Sequence, residues 1–188
     1  MTVMEICNSA VVVDDYKIHY SFSKKPPLNS LDAMGNFYRF SSQQKQIQRL
    51  LEACLLSSNI FLKPTVQFSI ETAIRQGELL RIRYEHVNWN KRTLTLYDTK
   101  NGEDRVIPLS EKAFLILSSL PRQFIRRMFP LTRDVVKCHF RRALKKAKIE
   151  GFRWHDLRRQ ACSLMFEKGL DVPSVQAISG HKNPMILL

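Results

Sequence analysis

Several common sequence features are missing from this 188-residue chain, and each absence excludes a class of protein. No apolar run is long enough to span a bilayer, and the start lacks the basic stretch of a signal peptide. The four cysteines, at positions 7, 54, 138 and 162, form no C-x-x-C pair and no zinc spacing. We therefore expect reduced thiols in a cytoplasmic protein that has no membrane partner.

Phosphate-binding and RNA-binding motifs are also absent. The sequence has no G-x-x-x-x-G-K loop, no cluster of carboxylates of the two-metal type and no aromatic RNP-type motif. A general basic RNA-binding protein is therefore the weakest of the readings that the charge allows.

What the sequence does have is positive charge, and it is unevenly placed. The formal net charge is +13 and the pI is about 9.9, which indicates a polyanionic partner. Residues 1–40 are neutral, with four basic and four acidic side chains. Residues 121–160 hold 13 basic and 3 acidic side chains, so this quarter of the chain carries +10 (13 − 3).

Much of that charge lies on one amphipathic helix, predicted from about Arg133 to Lys148. Apolar residues at helical spacing, from Val136 to Ala147, form its inner stripe, and few acidic residues offset its outer faces. We predict that these faces contact the DNA backbone. The predicted DNA-binding residues are Lys137, Arg141, Arg142, Lys145, Lys146 and, on the next helix, Arg159.

A second informative stretch runs from Phe152 to His181. Apolar spacing predicts a helix that starts near His155 and stops at Gly169, with His155 and Arg158 on one face of its first turn. A helix N-terminus favours an anion, and arginine can hold two phosphate oxygens, so we expect a phosphate here. A short helix packed through Val172, Val175 and Ile178 would bring His181 to the same site.

The remaining patterns predict an α+β fold that is mainly helical, with a small antiparallel β-hairpin. One helix is predicted to start at the N-caps Ser41-Ser42, and another to cover about Val66–Leu80, with Arg75 and Glu78 three residues apart. Residues 92–97 and 105–109 read as paired strands joined by a turn at Asn101-Gly102. Ser110 is predicted to cap a helix that ends before Pro121.

Four motifs occur in an order that resembles the catalytic domain of the tyrosine recombinases, the phage integrase family. They are Thr72-Ala73-Ile74-Arg75-Gln76-Gly77-Glu78, then Lys100 beside the turn, then His155-x-x-Arg158, then Gly180-His181. The resemblance runs from about Phe40 to the last residue. It implies a catalytic domain over 40–188, incomplete at its C-terminus, preceded by a linker or remnant over 1–39.

The resemblance also implies a chemistry. A tyrosine hydroxyl attacks a phosphodiester of double-stranded DNA, and strands are cut and rejoined through a phosphotyrosyl link. Arg75 and Arg158 would clamp the phosphate oxygens, with Glu78 holding Arg75 in place. Lys100 would protonate the leaving oxygen, His155 would assist proton transfer, and His181 would hydrogen-bond the phosphate. It further implies a homo-oligomer on DNA (a tetramer in the family), with no metal, cofactor or small-molecule substrate, in a bacterial or phage-derived protein.

One departure from the family bears on activity. The family's tyrosine lies about nine residues after the histidine of Gly-His, and the sequence ends seven residues after His181. Two expectations stay open: a DNA strand transferase that is inactive as written, or a non-catalytic DNA-binding relic of a recombinase. A second, milder departure is Ala73, where the family usually has glycine.

Overall fold

The computed structural model describes residues 11–14, 17–20, 32–97, 104–122, 126–183 and 185, and side chains from residue 43 onward. Within these ranges it contains seven α-helices and five short strands. The strands are β1 (Val11–Asp14), β2 (Lys17–Tyr20), β3 (Val87–Asn88), β4 (Thr93–Leu96) and β5 (Arg105–Pro108). The helices are α1 (Asp32–Leu55), α2 (Leu62–Thr72), α3 (Gln76–Leu79), α4 (Glu111–Ser118), α5 (Arg133–Lys146), α6 (Trp154–Glu167) and α7 (Val172–Ser179).

Helix α2 lies at the centre of the helical part and packs against α1, α4, α5 and α6. It is buried on most of its surface, because Leu62, Val66 and Phe68 face its neighbours and have no exposed area. Its buried Thr65 and Thr72 hydroxyls donate to the carbonyls of Phe61 and Phe68 one turn earlier, so they add no unsatisfied polar group.

A three-stranded antiparallel sheet, ordered β3-β4-β5, closes one side of the core. Leu94 pairs with Ile107, and both are fully buried, while the alternating threonines of β4 are only partly buried. The predicted hairpin is confirmed, but its turn lies outside the described residues. Strand β3 was not predicted, since two residues are too few to show an alternating pattern.

Most of the predicted helices are confirmed. Ser110 caps α4, and its hydroxyl accepts a hydrogen bond from the Ala113 amide at 3.2 Å. The inner stripe of α5 is buried, and α6 ends as expected before Gly169, which has a φ of 86°. No helix within the described ranges combines the length and apolarity needed to cross a bilayer.

Two helix boundaries were predicted wrongly. Helix α1 begins at Asp32, nine residues before the predicted caps Ser41-Ser42. A serine inside a helix costs only about 0.5 kcal/mol relative to alanine. Residues 36–40 contain no proline or glycine that would stop the helix before Ser41. The described β1–β2 pair and the start of α1 lie within the segment 1–39, whose role as a linker or remnant stays a prediction.

The predicted helix over Val66–Leu80 is in fact two helices. Ala73 ends α2 in a left-handed conformation with a φ of 53°, and Arg75 is extended, before α3 begins at Gln76. The apolar spacing continues across the break, because residues on both sides face the same core, and so the periodicity did not reveal it. The break takes Arg75 out of the helix.

Candidate phosphate-binding site

Arg75 is placed by the break between α2 and α3. Its backbone amide donates to Glu78 Oε2 at 3.1 Å, which closes the first turn of α3. Its guanidinium donates from Nη1 to Glu78 Oε1 at 2.9 Å and from Nη2 to the Gly180 carbonyl at 2.7 Å. The side chain keeps 28% of its area exposed, so one part of the guanidinium is held by Glu78 and Gly180 and the rest is accessible to solvent.

Glu78 joins two arginines beneath the site. Its side chain is 3% exposed, and Arg105 of β5 donates to it from Nη2 at 2.9 Å and Nη1 at 3.4 Å. Burial would raise the pKa of Glu78, but the guanidiniums of Arg105 and Arg75 and the Arg75 amide outweigh it and hold that pKa below its ordinary value. A carboxylate that stays ionised therefore fixes both guanidiniums.

Backbone conformation and close packing both require glycine at position 180. It ends α7 with a φ of 73°, a conformation that L residues rarely adopt. A Cβ at this position would come within 2.2 Å of Arg105 Nη1. Only glycine therefore lets Arg105 lie against the turn while Arg75 binds its carbonyl.

Arg158 comes from α6 and is only 4% exposed. Its Nη1 donates to the Ala73 carbonyl at 2.7 Å, and its Nη2 lies 3.0 Å from His181 Nε2. Burial, followed by the charge of Arg75, lowers the pKa of Arg158 to about 10, so it remains a cation at neutral pH. Arg158 binds the carbonyl of Ala73, two residues before Arg75, and Arg75 binds the carbonyl of Gly180, next to His181. These hydrogen bonds place the three side chains in one cluster.

His181 is held through both ring nitrogens. Ser179 Oγ lies 2.7 Å from Nδ1, and Arg158 contacts Nε2. Burial, then Arg158, Arg75, His155 and Arg105, lower the pKa of His181 to about 4, so the imidazole is neutral at pH 7.

The structure brings together most, but not all, of the residues predicted for the site. Arg75, Glu78, Arg158 and His181 form one cluster. His155 lies exposed in the first turn of α6, close enough for its charge to affect the pKa of His181. Lys100 lies outside the described residues, so its position stays a prediction.

Two residues of the site were not predicted, namely Arg105 and Ser179. Arg105 has the sequence context of a solvent-facing strand residue, and Ser179 that of an ordinary helix-end serine. Arg105 has no local signal, because its partner Glu78 lies 27 residues away in sequence. Ser179 lies only two residues before His181, but nothing in the sequence distinguishes it from other serines at helix ends.

The predicted DNA-binding residues are all exposed. The five basic residues of α5 are exposed, and Arg159 is 76% exposed beside Asp156, whose Oδ1 lies 3.9 Å from Arg159 Nη1. At the start of α5, the Arg133 guanidinium lies against Gly77, where an added Cβ would be 2.6 Å from Nη2. This contact places the Arg133 side chain against α3.

Comparisons with known proteins identify the family and the fold. The chain is 34% identical over 165 residues to the shufflon-specific DNA recombinase of Escherichia coli, covering 87% of this chain and 41% of that protein. It therefore spans well under half of that relative's length. Its fold is similar to the catalytic domain of bacteriophage HP1 integrase, with a TM-score of 0.63, 26% identity and coverage of 76% of this chain and 80% of that one.

A second structure of similar fold is the lambda integrase dimer bound to a COC' core site, with a TM-score of 0.63, 21% identity and coverage of 76% and 55%. The sequence profile described as the phage integrase family matches residues 41–187, which is most of the chain. The chain belongs to the phage integrase family.

Proposed function

We propose that this chain is the phosphate-holding part of a site-specific DNA recombinase, which cuts and rejoins DNA strands through a phosphotyrosyl intermediate. One observation carries the proposal: Arg75 and Arg158, 83 residues apart in sequence, lie in one cluster with His181 and are fixed by buried partners. The shufflon-specific recombinase, a relative by sequence, is named for action on DNA, which supports the same substrate class here.

The two arginines have donors to spare. A guanidinium has five N–H groups, and each of these arginines uses only part of that set on protein acceptors. The remaining groups would donate to the two non-bridging oxygens of a phosphodiester. Charge that develops on those oxygens in the transition state is then stabilised by donors already in position.

The bond changes follow from this clamp. The tyrosine oxygen forms a bond to phosphorus while the bond from phosphorus to the 5′ oxygen breaks, and the second step reverses the two roles. In the proposal Lys100 gives the leaving 5′ oxygen its proton, and His155 assists the proton that the tyrosine hydroxyl loses. Glu78 reacts with nothing and only holds Arg75.

The basic surface of α5 would bind the DNA on either side of that phosphate. Its lysines and arginines are exposed and would contact successive phosphates, so affinity should fall steeply with salt as counterions are released. Assembly as a homo-oligomer on DNA belongs to the same proposal and is supported by the dimeric state of lambda integrase on its core site.

A joining assay with the 188-residue polypeptide tests the proposal. The substrate is a nicked duplex with a 3′-p-nitrophenyl phosphate facing a 5′-hydroxyl, so that nitrophenol replaces the tyrosine as leaving group. The 5′ oxygen forms its bond to phosphorus, the bond to the aryl oxygen breaks, and p-nitrophenolate is released as a coloured product.

We expect release above the uncatalysed rate, lowered about 10²–10³-fold by Arg75→Ala or Arg158→Ala. Arg81→Ala, an exposed arginine of the same segment, serves as the control and should not change the rate. Equal rates with and without protein would contradict the proposal.

A further inference from the structure

Ser179 is the last residue of α7, and its hydroxyl reaches into the phosphate-binding site. The residue has no exposed area, and its Oγ lies 2.7 Å from His181 Nδ1. On the other side of the ring, Arg158 Nη2 lies 3.0 Å from Nε2. The imidazole is therefore fixed between a hydroxyl and a guanidinium.

These two contacts determine which ring nitrogen carries the proton. A guanidinium can only donate, so Nε2 must accept from Arg158 and carries no hydrogen. A neutral imidazole then has its hydrogen on Nδ1, where it donates to Ser179 Oγ.

We propose that Ser179 is a positioning residue that anchors the His181 ring in the orientation in which Arg158 selects the Nδ1–H tautomer, so that Nε2 accepts from Arg158 while the site is empty and takes up a proton from solvent when a phosphate group enters. The second half of this inference rests on the function proposed above. The first half, the tautomer, stands on the two contacts alone.

The charges around the ring explain why proton uptake would wait for an anion. His181 faces Arg158 and His155 from α6, Arg75 from the segment before α3, and Arg105 from β5, while Glu78 supplies the carboxylate nearby. An imidazolium there would be repelled by the cations, and it would present an N–H to the Arg158 N–H. An anion between them accepts from both and removes the conflict.

Removing the Ser179 hydroxyl takes away the acceptor for Nδ1–H. The neutral ring is then free to carry its proton on Nε2 and to turn, and Arg158 loses its acceptor at that nitrogen. One neutral hydrogen bond contributes about 1 kcal/mol, so we expect Ser179→Ala to weaken sulfate binding about fivefold.

The test uses the full chain with ¹⁵N-labelled histidine and long-range ¹H–¹⁵N spectra, which separate the two neutral tautomers from the imidazolium. His181→Gln identifies the His181 signals. Ser174→Ala is the matched control, since Ser174 is a buried serine of the same helix whose amide is capped by Asp171. Sulfate serves as the anion, because it does not titrate between pH 5 and 8.

We expect the Nδ1–H tautomer in the free protein and in Ser174→Ala, its loss in Ser179→Ala, and imidazolium signals for His181 when sulfate is added. An Nε2–H tautomer in the free protein would overturn the inference, and this holds even if Ser179→Ala does not fold. Sulfate that binds without protonating His181 would also overturn it. Failure of any anion to bind would count against the proposed function, while the tautomer in the free protein still decides the role of Ser179.

Discussion

The chain has two collections of positive charge, and they are built in opposite ways. In the candidate phosphate-binding site the cations are few, and Arg105 and Arg158 are largely buried and hydrogen-bonded to a carboxylate, a carbonyl or a ring nitrogen. On α5 the basic residues are many and exposed, with a single acidic residue, Asp134, within the helix. The first arrangement fixes positions, and the second supplies long-range attraction.

The difference indicates which energies matter in each region. A buried cation without a partner costs several kcal/mol, so every guanidinium of the site needs a fixed acceptor. An exposed lysine stays hydrated and its charge is screened by salt, so it lowers the stability of the fold very little. The α5 residues therefore need no protein partners and remain available to bind a polyanion. We therefore expect substitutions in the two regions to affect different measurements.

The largest expected effect comes from two adjacent arginines of α6 that belong to different regions. Arg158→Ala removes a buried guanidinium of the proposed phosphate clamp and should lower the joining rate about 10²–10³-fold, with DNA affinity nearly unchanged. Arg159→Ala removes an exposed cation and should weaken DNA binding slightly while the joining rate stays the same. Equal losses of rate in the two variants would erase the distinction between the regions.

The next effect compares two glutamates that each bridge two arginines. Glu78→Gln leaves Arg75 and Arg105 without their buried carboxylate and should lower the free energy of unfolding by about 3 kcal/mol. Glu85 is half-exposed between Arg83 at 3.4 Å and Arg126 at 3.7 Å, and Glu85→Gln should cost less than about 0.5 kcal/mol. Urea unfolding measures both, and a similar cost for the pair would show that burial does not set the value of these bridges.

A smaller effect is expected on α5. Replacing Lys145 and Lys146 together with alanine should weaken DNA binding about equally for all sequences. The slope of log affinity against log salt should become shallower by about 2, as two phosphate contacts are lost. Fluorescence anisotropy over a salt series checks this, and an unchanged slope would mean that this face does not meet DNA.

The last effect concerns pH. The folded-state pKa of His181, about 4, lies below the ordinary value of 6.5, so the unfolded chain binds more protons between these values. The contribution of His181 to stability is therefore fully present above about pH 6.5 and is lost as pH falls toward 4. Urea midpoints of the wild type and His181→Gln should converge as the pH is lowered, and midpoints that diverge would contradict the assignment.

Local patterns predicted elements that depend on contacts within one turn, and the family resemblance supplied Arg75, Arg158 and His181, whose partners are distant in sequence. The apolar stripe of α5, the Ser110 cap and the Gly169 stop each depend on contacts within one turn, so pattern alone located them. The role of Arg105 depends on Glu78, 27 residues away, and on the open space at Gly180. No local sequence pattern indicates the packing of Arg105 against Glu78 and Gly180.

Ala73 shows the same limit at the level of the backbone. Its left-handed φ of 53° breaks the predicted helix, frees its carbonyl for Arg158 and sets the direction of Arg75. An alanine in the sequence does not predict a left-handed conformation, because that conformation costs an L residue roughly 1 kcal/mol. The family's usual glycine at this position would have indicated the break.

The central claim is that Arg75 and Arg158 form one anion site distinct from the α5 surface, and sulfate titration by calorimetry tests it most directly. We predict one bound sulfate per chain, lost in Arg75→Ala and in Arg158→Ala and retained in the Lys145/Lys146 double variant. Sulfate binding that survives both arginine substitutions, or that disappears with the two lysines, would contradict the claim.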